Sequence, residues 1–336
     1  MSSSTDVPVL AAVINWNGWR DTTTCLRSMF ELVGPSLNLV VCDNASTDGS
    51  FARLSEWLCE EAGAQIESRE LVGEVTQLVS FRGQFGEAVK TVYLLGLPEN
   101  YGYAGAANRC IIWGGAALGA QNFWVLNNDI KVHPEALAEL VRTTALMPRV
   151  GLCGSVLLDW DDPHTVQAIG GKYRRWIASG SHFTELPCGA VPPADGFLPL
   201  DYPVGASMFV TREFLKTVGL MDATYFLYYE EIDWAERGRS HGFTPGVALK
   251  SLVQHKEGAS TGSHGGVRKK SLLSERYGVV NRLRVTRKFW PARLPVVWMS
   301  LWLVLLDRAL HAEWSRARVV LKLMFSPRLW LADRAT

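Results

Sequence analysis

Residues 8 to 127 alternate between short apolar runs and helix-like stretches, and the apolar runs predict strands at Val9–Ile14, Leu37–Cys42, Thr91–Leu95 and Phe123–Leu126. Helices are predicted to begin near Arg20, Asp48, Tyr103 and Pro134, two of them with Asp or Pro where a helix start favours those residues. This rhythm is that of parallel strands joined by crossover helices, a Rossmann-type layer. The stretch Ala62 to Lys90 breaks it with several glycines and mixed charge, and reads as an insertion. Beyond Val150 the pattern turns to strand-like pieces and loops containing Pro187, Pro192, Pro193 and Pro199, then helices from about Arg212 and Glu230. This part is expected to form a second subregion packed on the first half. Gly258 to Gly266 reads as a flexible loop able to close over a ligand, and only helical segments follow it.

Composition narrows the class. A chain of 336 residues with 48% hydrophobic content builds one large or two modest domains, which excludes a disordered chain. The six cysteines, Cys25, Cys42, Cys59, Cys110, Cys153 and Cys188, form no C-x-x-C pair, so they are expected to be reduced, buried thiols rather than zinc ligands or a disulfide framework. Met1 to Leu10 lacks the pattern of a secretory signal, and no segment reaches the roughly 18 to 20 apolar residues that cross a bilayer, so a cytoplasmic location is expected. The net charge of +1 conceals an asymmetry: from Gly266 onward 15 Lys and Arg face 4 Asp and Glu, a balance of +11, which leaves about −10 for residues 1–265. The tail therefore suits an anionic partner.

Candidate chemistry gathers where strands are predicted to end. Asp43-Asn44-Ala45-Ser46-Thr47-Asp48-Gly49-Ser50 follows the second strand, where a carboxylate can meet a base or ribose, although Asp48 also suits a helix cap. Glu99 to Asn108 follows the third strand and opens a helix through small residues, which allow a ligand close to the backbone or simply make a tight turn. Neither G-x-G-x-x-G nor a P-loop pattern is present, which disfavours a Rossmann dehydrogenase and a P-loop nucleotidase. After the fourth strand, Asp129 has the chemistry to bind a hard divalent cation, with Asn127 or Asn128 assisting. Glu230, Glu231 and Asp233 stand among aromatic and apolar neighbours at a predicted helix start, where a shielded carboxylate suits a general base. His255 ends an apolar strand and has the chemistry to complete a metal site.

Taken in order, these segments resemble family 2 glycosyltransferases of the GT-A fold, particularly bacterial rhamnosyltransferase-like members, from roughly Val9 to Pro291. The resemblance rests on Val13-Ile14-Asn15-Trp16-Asn17-Gly18, Asp43 to Ser50, Asn100 to Asn108, Leu126 to Asp129, Gly205 to Phe209, Gly219 to Asp222, Phe226 to Asp233 and His255 to Ser260. It implies an α/β fold, a GT-A type Rossmann-like mixed sheet flanked by helices, with a catalytic domain over 1–265 and a helical extension over 266–336. It further implies a donor side involving Asn15, Asp43, Asn44, Ser46, Asn100, Ala104, Asn108 and Asn128. Asp129 would be the surviving acid of a D-x-D motif whose first position is Asn127, and His255 an additional ligand to Mg²⁺ or Mn²⁺. Glu231 stands where the family has its catalytic Asp, one methylene longer, so the choice of base among Glu230, Glu231 and Asp233 stays open. The implied reaction is a single displacement with inversion, the sugar being rhamnose from dTDP-rhamnose, with UDP-hexose or UDP-galactofuranose as alternatives.

Leu294 to Leu306 carries no charge and places Trp298 and Trp302 four residues apart. With its flanking Arg and Lys it suits an interfacial helix on anionic lipid at the inner face of the plasma membrane, or a helix packed on the catalytic domain or a second subunit. An apolar block of Trp and Leu argues against nucleic acid. The expected partners are thus a nucleotide sugar, a glycan or lipid-linked glycan acceptor, and a membrane surface. A non-catalytic nucleotide-sugar-binding scaffold and another Rossmann enzyme are the competing classes.

Overall fold

The computed structural model describes residues 8–72, 75–85, 89–186, 196–256, 271–326 and 328–331. β1 (Val9–Asn15) is buried at all seven positions, with Leu10, Ala12 and Ile14 in one apolar layer and Val9, Ala11 and Val13 in the other. A strand without a polar face needs cover on both sides. The chain supplies it by alternation, through α1 (Trp19–Phe30), β2 (Leu37–Asp43), α2 (Ser50–Glu60), β3 (Gln65–Val72), β4 (Val75–Phe85), β5 (Val89–Gly96), α3 (Gly102–Leu118) and β6 (Asn122–Asn127). α1 and α2 bury Cys25, Leu26, Met29, Leu54 and Leu58 against the layer of Val9, while α3 buries Ala106, Ala107 and Cys110 against that of Leu10. The parallel strands lie in the order β6-β1-β2-β5. Each predicted strand is present and runs one to three residues further than its apolar run.

The stretch from Ala62 to Lys90 is an antiparallel β3–β4 hairpin that leads into β5 and widens the sheet at one edge. Glu67, Arg69 and Glu70 are exposed on the edge strand β3, where charge deters pairing with another chain.

Next come β7 (Ile130–Val132), α4 (Ala136–Leu146), β8 (Leu152–Asp159), β9 (Val166–Ala168), β10 (Gly170–Arg174), β11 (Ser179–Phe183), β12 (Phe197–Pro199), β13 (Ser207–Val210), α5 (Arg212–Val218), α6 (Glu230–Ser240) and β14 (Gly246–His255). β13 lies antiparallel between β6 and β8, and β14 pairs parallel with β8. The second half therefore continues the first sheet rather than packing on it as a separate layer. Only β10 and β11, among the described strands, pair apart as a two-stranded unit.

α7 (Leu272–Phe289), α8 (Leu294–Leu310), α9 (Trp314–Met324) and α10 (Arg328–Leu331) close the chain. Val279, Val280 and Leu283 of α7 and Val320 and Leu323 of α9 join the apolar layer of Leu10 and α3. Among the described residues no helix is long and apolar enough to cross a membrane. Five of the six cysteines are free thiols, four of them buried, and Cys188 lies outside the described residues, as do Pro187, Pro192, Pro193 and the loop expected at Gly258 to Gly266.

Candidate active site

The parallel strands deliver their last residues to one edge, where ligands of open α/β sheets bind. Asn15 ends β1 opposite Asp43 of β2, and Asn127 ends β6 opposite Ile14. Asn15 is fully buried and holds Asp43 in place: its Nδ2 donates to Asp43 Oδ1 at 2.7 Å and to Ser46 Oγ at 3.2 Å. Its own Oδ1 accepts from Thr22 Oγ1 and Asn128 Nδ2, so the amide orientation is fixed. Ser46 N donates to the second oxygen of Asp43. Burial raises the Asp43 carboxyl above its ordinary value, while the bonds from Ser46 and Asn15 oppose that rise.

Beyond β6, Asp129 is 2% exposed and its Oδ1 has no hydrogen-bond partner among the described residues. That oxygen faces His255 Nε2 at 3.6 Å. β7 and β14 bring the two together, because Ile130 pairs with His255 and Lys256 N donates to Asp129 O. A buried carboxylate oxygen with no donor is costly unless a cation or ligand meets it. Asn127, two residues before Asp129, has its backbone N–H bonded to Ala206 O. No group of three or more His, Cys, Asp or Glu gathers among the described residues, so an ion here would have two such protein ligands. That suits a divalent cation completed by substrate phosphates.

The third component is the start of α6. Tyr228 and Tyr229 both adopt positive φ, 67° and 75°, immediately before Glu230. Consecutive left-handed residues other than glycine persist only where their surroundings impose them. Here Asn281 of α7, fully buried, donates from Nδ2 to Leu227 O at 2.8 Å and Tyr228 O at 3.0 Å. Tyr229 OH donates to Ala178 O, Phe226 stacks on Tyr277, and Tyr103 N donates to Phe226 O. Gly102, at φ +71°, lies so close to the Phe226 backbone that a side chain there has no room.

This turn delivers Glu230 and Glu231 into a shielded setting, and each has an oxygen without a hydrogen-bond partner among the described residues. Burial, then the charge of Glu231, raises Glu230 well above its ordinary value. Burial pushes Glu231 up to about 7 against the backbone N–H groups of Glu231 and Tyr229. Asp233 has a different setting. It is fully buried and bonded to Arg237 Nε and Lys288 Nζ, each at 2.6 Å, and Lys288 also reaches Asp222 at 2.7 Å. Two cations on one carboxylate suit an internal tie rather than a base.

Several expected donor-side residues instead face the scaffold. Ala104 is wholly within the apolar layer. Asn108 clamps the Met221 backbone, donating to its carbonyl and accepting from its N–H. Asn44 donates to Asn100 Oδ1 and Gly102 O and accepts from Tyr101 N, and Asn100 Oδ1 also takes the Gly102 N–H. Asn128 points back to Asn15, Thr22 and Gly18. In Asn44, Asn100, Asn108 and Asn128, local carbonyls and amides thus engage the side-chain amides.

No family model matches the chain. Over 188 residues it is 27% identical to the N-acetylglucosaminyl-diphospho-decaprenol L-rhamnosyltransferase of Mycobacterium tuberculosis, a match covering 51% of this chain and 61% of that protein. Over 151 residues it is 23% identical to the low-salt glycan biosynthesis hexosyltransferase Agl10 of Haloferax volcanii, covering 44% and 46%. The chain thus spans less than two thirds of the length of these curated relatives. Among solved structures, GalNAc-T7 with UDP, GalNAc and Mn²⁺ superposes with a TM-score of 0.58 at 14% identity, over 87% of this chain and 49% of that one. The mannosyltransferase of Pyrobaculum calidifontis, in complex with GDP-Man and Mn²⁺, gives 0.52 at 14% identity over 96% and 87%. The fold is that of the GT-A glycosyltransferases.

Within this GT-A sheet, three residues outside the expected set shape the site. Tyr103 donates to Gly205 O at 2.7 Å, and burial followed by the charges of Glu230, Glu231 and Asp129 holds its phenol well above the ordinary value. It is therefore neutral and stands within reach of all three carboxylates electrostatically. Asn281 fixes the turn before α6, and Gln167 of β9 touches His255. Tyr103 falls within the Asn100 to Asn108 segment, whereas Asn281 and Gln167 carry no signal in sequence spacing, since each meets its partner from a distant element.

Proposed function

We propose that this chain is an inverting glycosyltransferase that moves a sugar from a nucleotide-sugar donor to a hydroxyl of a glycan or lipid-linked glycan in cell-surface polysaccharide synthesis. The observation that carries this reading is the set of buried carboxylate oxygens on Asp129, Glu230 and Glu231 without hydrogen-bond partners among the described residues, all three charges acting on Tyr103. Burial and the charge of Glu231 favour the protonated form of Glu230, and Glu231 takes the acceptor proton as the hydroxyl attacks. Asp43, fixed by Asn15 and Ser46, meets the base or ribose of the donor. Asp129 and His255, beside Asn127, would hold Mg²⁺ or Mn²⁺. When bound, the ion supplies positive charge against the departing nucleoside diphosphate. Rhamnose from dTDP-rhamnose is the favoured sugar, because the relative aligned over the longer stretch is named a rhamnosyltransferase.

The test is thermal stabilisation and nucleoside diphosphate release across dTDP-rhamnose, UDP-hexoses and UDP-galactofuranose, with and without Mn²⁺. A ligand at about 100 times its Kd stabilises by about 2.7 kcal/mol, so a true donor raises the melting temperature by a few degrees. Asp129→Ala should remove the Mn²⁺-dependent part of that rise. Donor binding without release of nucleoside diphosphate in the presence of acceptor would instead mark a non-catalytic binding protein. No response to any nucleotide sugar would overturn the reading.

The proposal extends to the membrane that a lipid-linked acceptor occupies. Val296, Met299, Leu303, Leu306 and Leu310 form one exposed stripe along α8, joined by exposed Trp302, Trp314 and Phe325. Arg318, Lys322 and Arg328 add exposed positive charge on α9 and α10, and half-buried Arg293 precedes α8. Such a face suits an interfacial helix pair on anionic lipid at the cytoplasmic side of the plasma membrane. Co-sedimentation with phosphatidylglycerol vesicles is expected for the wild type and lost in the double variant Leu303→Glu, Leu306→Glu. Wild-type protein that stays in the supernatant and dimerises through this face would show the stripe to be a subunit contact instead.

A further inference from the structure

We infer that Gln167 is a positioning residue that locks the His255 ring in one tautomer and so turns its Nε2 lone pair toward Asp129. The inference rests on the proposed Asp129–His255 site and deepens it. Gln167 Nε2 donates to the backbone O of His255 at 3.1 Å, while Gln167 Oε1 lies 2.8 Å from His255 Nδ1. A carbonyl oxygen only accepts, so the first contact fixes which end of the Gln amide is nitrogen. Its oxygen must then face the ring, and an oxygen facing Nδ1 requires the proton to be on Nδ1. In the neutral ring that leaves Nε2 without a proton. Nε2 faces Asp129 Oδ1 at 3.6 Å, longer than a hydrogen bond, and that oxygen has no hydrogen-bond partner among the described residues.

Two lone-pair atoms aimed at each other in a buried setting are complementary to a cation, not to one another. β8 provides the rigid frame for this arrangement: β9, bearing Gln167, pairs along one of its edges, and β14, ending in His255, along the other. A partner at the second ring nitrogen is the usual means of setting a metal-binding histidine, and its loss weakens metal affinity by about 10- to 100-fold.

The experiment uses the full chain with ¹⁵N-labelled histidine and Mn²⁺ as the probe. In metal-free wild type at a pH where His255 is neutral, the ring nitrogens should report the Nδ1–H form. Gln167→Leu should show a share of the Nε2–H form and bind Mn²⁺ at least about tenfold more weakly, with donor-nucleotide affinity in the absence of metal unchanged. Gln167→Glu keeps an acceptor at Nδ1 and should recover most of the Mn²⁺ affinity. A wild-type ring in the Nε2–H form, or an unchanged Mn²⁺ affinity in Gln167→Leu, overturns the inference. Absence of Mn²⁺ binding by the wild type would overturn the Asp129–His255 site beneath it and is thereby distinguished. Both wild-type measurements stand even if a variant fails to fold.

Discussion

Glu231→Gln is expected to lower kcat by about 10²- to 10⁴-fold, the usual contribution of a general base, while donor affinity stays within about threefold. In the wild type kcat should rise as pH passes through about 7, because the competent form of Glu231 is the carboxylate that burial holds back. The same group sets a stability signature. Its folded-state pKa lies above the ordinary 4.5, so between 4.5 and about 7 the unfolded chain releases the proton first. Stability is therefore unaffected by this group below 4.5, falls as pH rises toward 7 and stays reduced above it. With allowance for partial solvation, the loss is on the order of 2 kcal/mol. Glu231→Gln should thus melt a few degrees above the wild type at pH 8 and level with it near pH 4.5. Retained turnover in Glu231→Gln, together with its loss in Glu230→Gln, would move the base to Glu230.

Asn281→Ala should be the most damaging change outside the site itself. It removes the donors to Leu227 O and Tyr228 O and the acceptor for Arg284, and leaves a cavity beside a strained turn. Each buried group left without a partner costs about 1 to 3 kcal/mol, and the left-handed Tyr228 and Tyr229 hold about 1 to 3 kcal/mol each that relaxation would release. We expect a loss of about 2 to 4 kcal/mol in stability and at least a tenfold fall in kcat, with donor binding little changed. Asn281→Asp is the informative comparison, since it still accepts from Arg284 but offers no N–H to the two carbonyls. It should lose activity as far as the Ala variant. Wild-type kcat in a folded Asn281→Asp protein would show that the turn is held by other contacts.

Much of the fold is legible in the chain. Each parallel strand contains a short apolar run, such as Leu39–Cys42 in β2 and Val92–Leu95 in β5, and the helices between them begin where Asp, Pro or small residues permit. The hairpin from Ala62 to Lys90 was less so, because β3 carries charge on an exposed edge and its pairing is imposed by β4 rather than by periodicity. The joining of β13 to β6 was equally hidden, being a contact between strands about 80 residues apart.

The candidate site divides along the same line. Sequence placed Asp43, Asp129, Glu230, Glu231 and His255 at element ends, and the fold leaves Asp129, Glu230 and Glu231 with unpartnered oxygens. Sequence could not separate Glu231 from Asp233, two positions apart on one helix, because Arg237, Lys288 and Asp222 decide that difference from three elements. Nor could it separate asparagines that bind ligand from those that tie loops, since an amide serves either use and only its neighbours choose. By itself the sequence determined which segments are buried, where strands end and which acids stand at those ends, all properties of local pattern. Tertiary structure decided which acids keep a free oxygen, which way His255 faces and what holds the turn before α6, because burial and hydrogen bonding depend on atoms brought together from far along the chain.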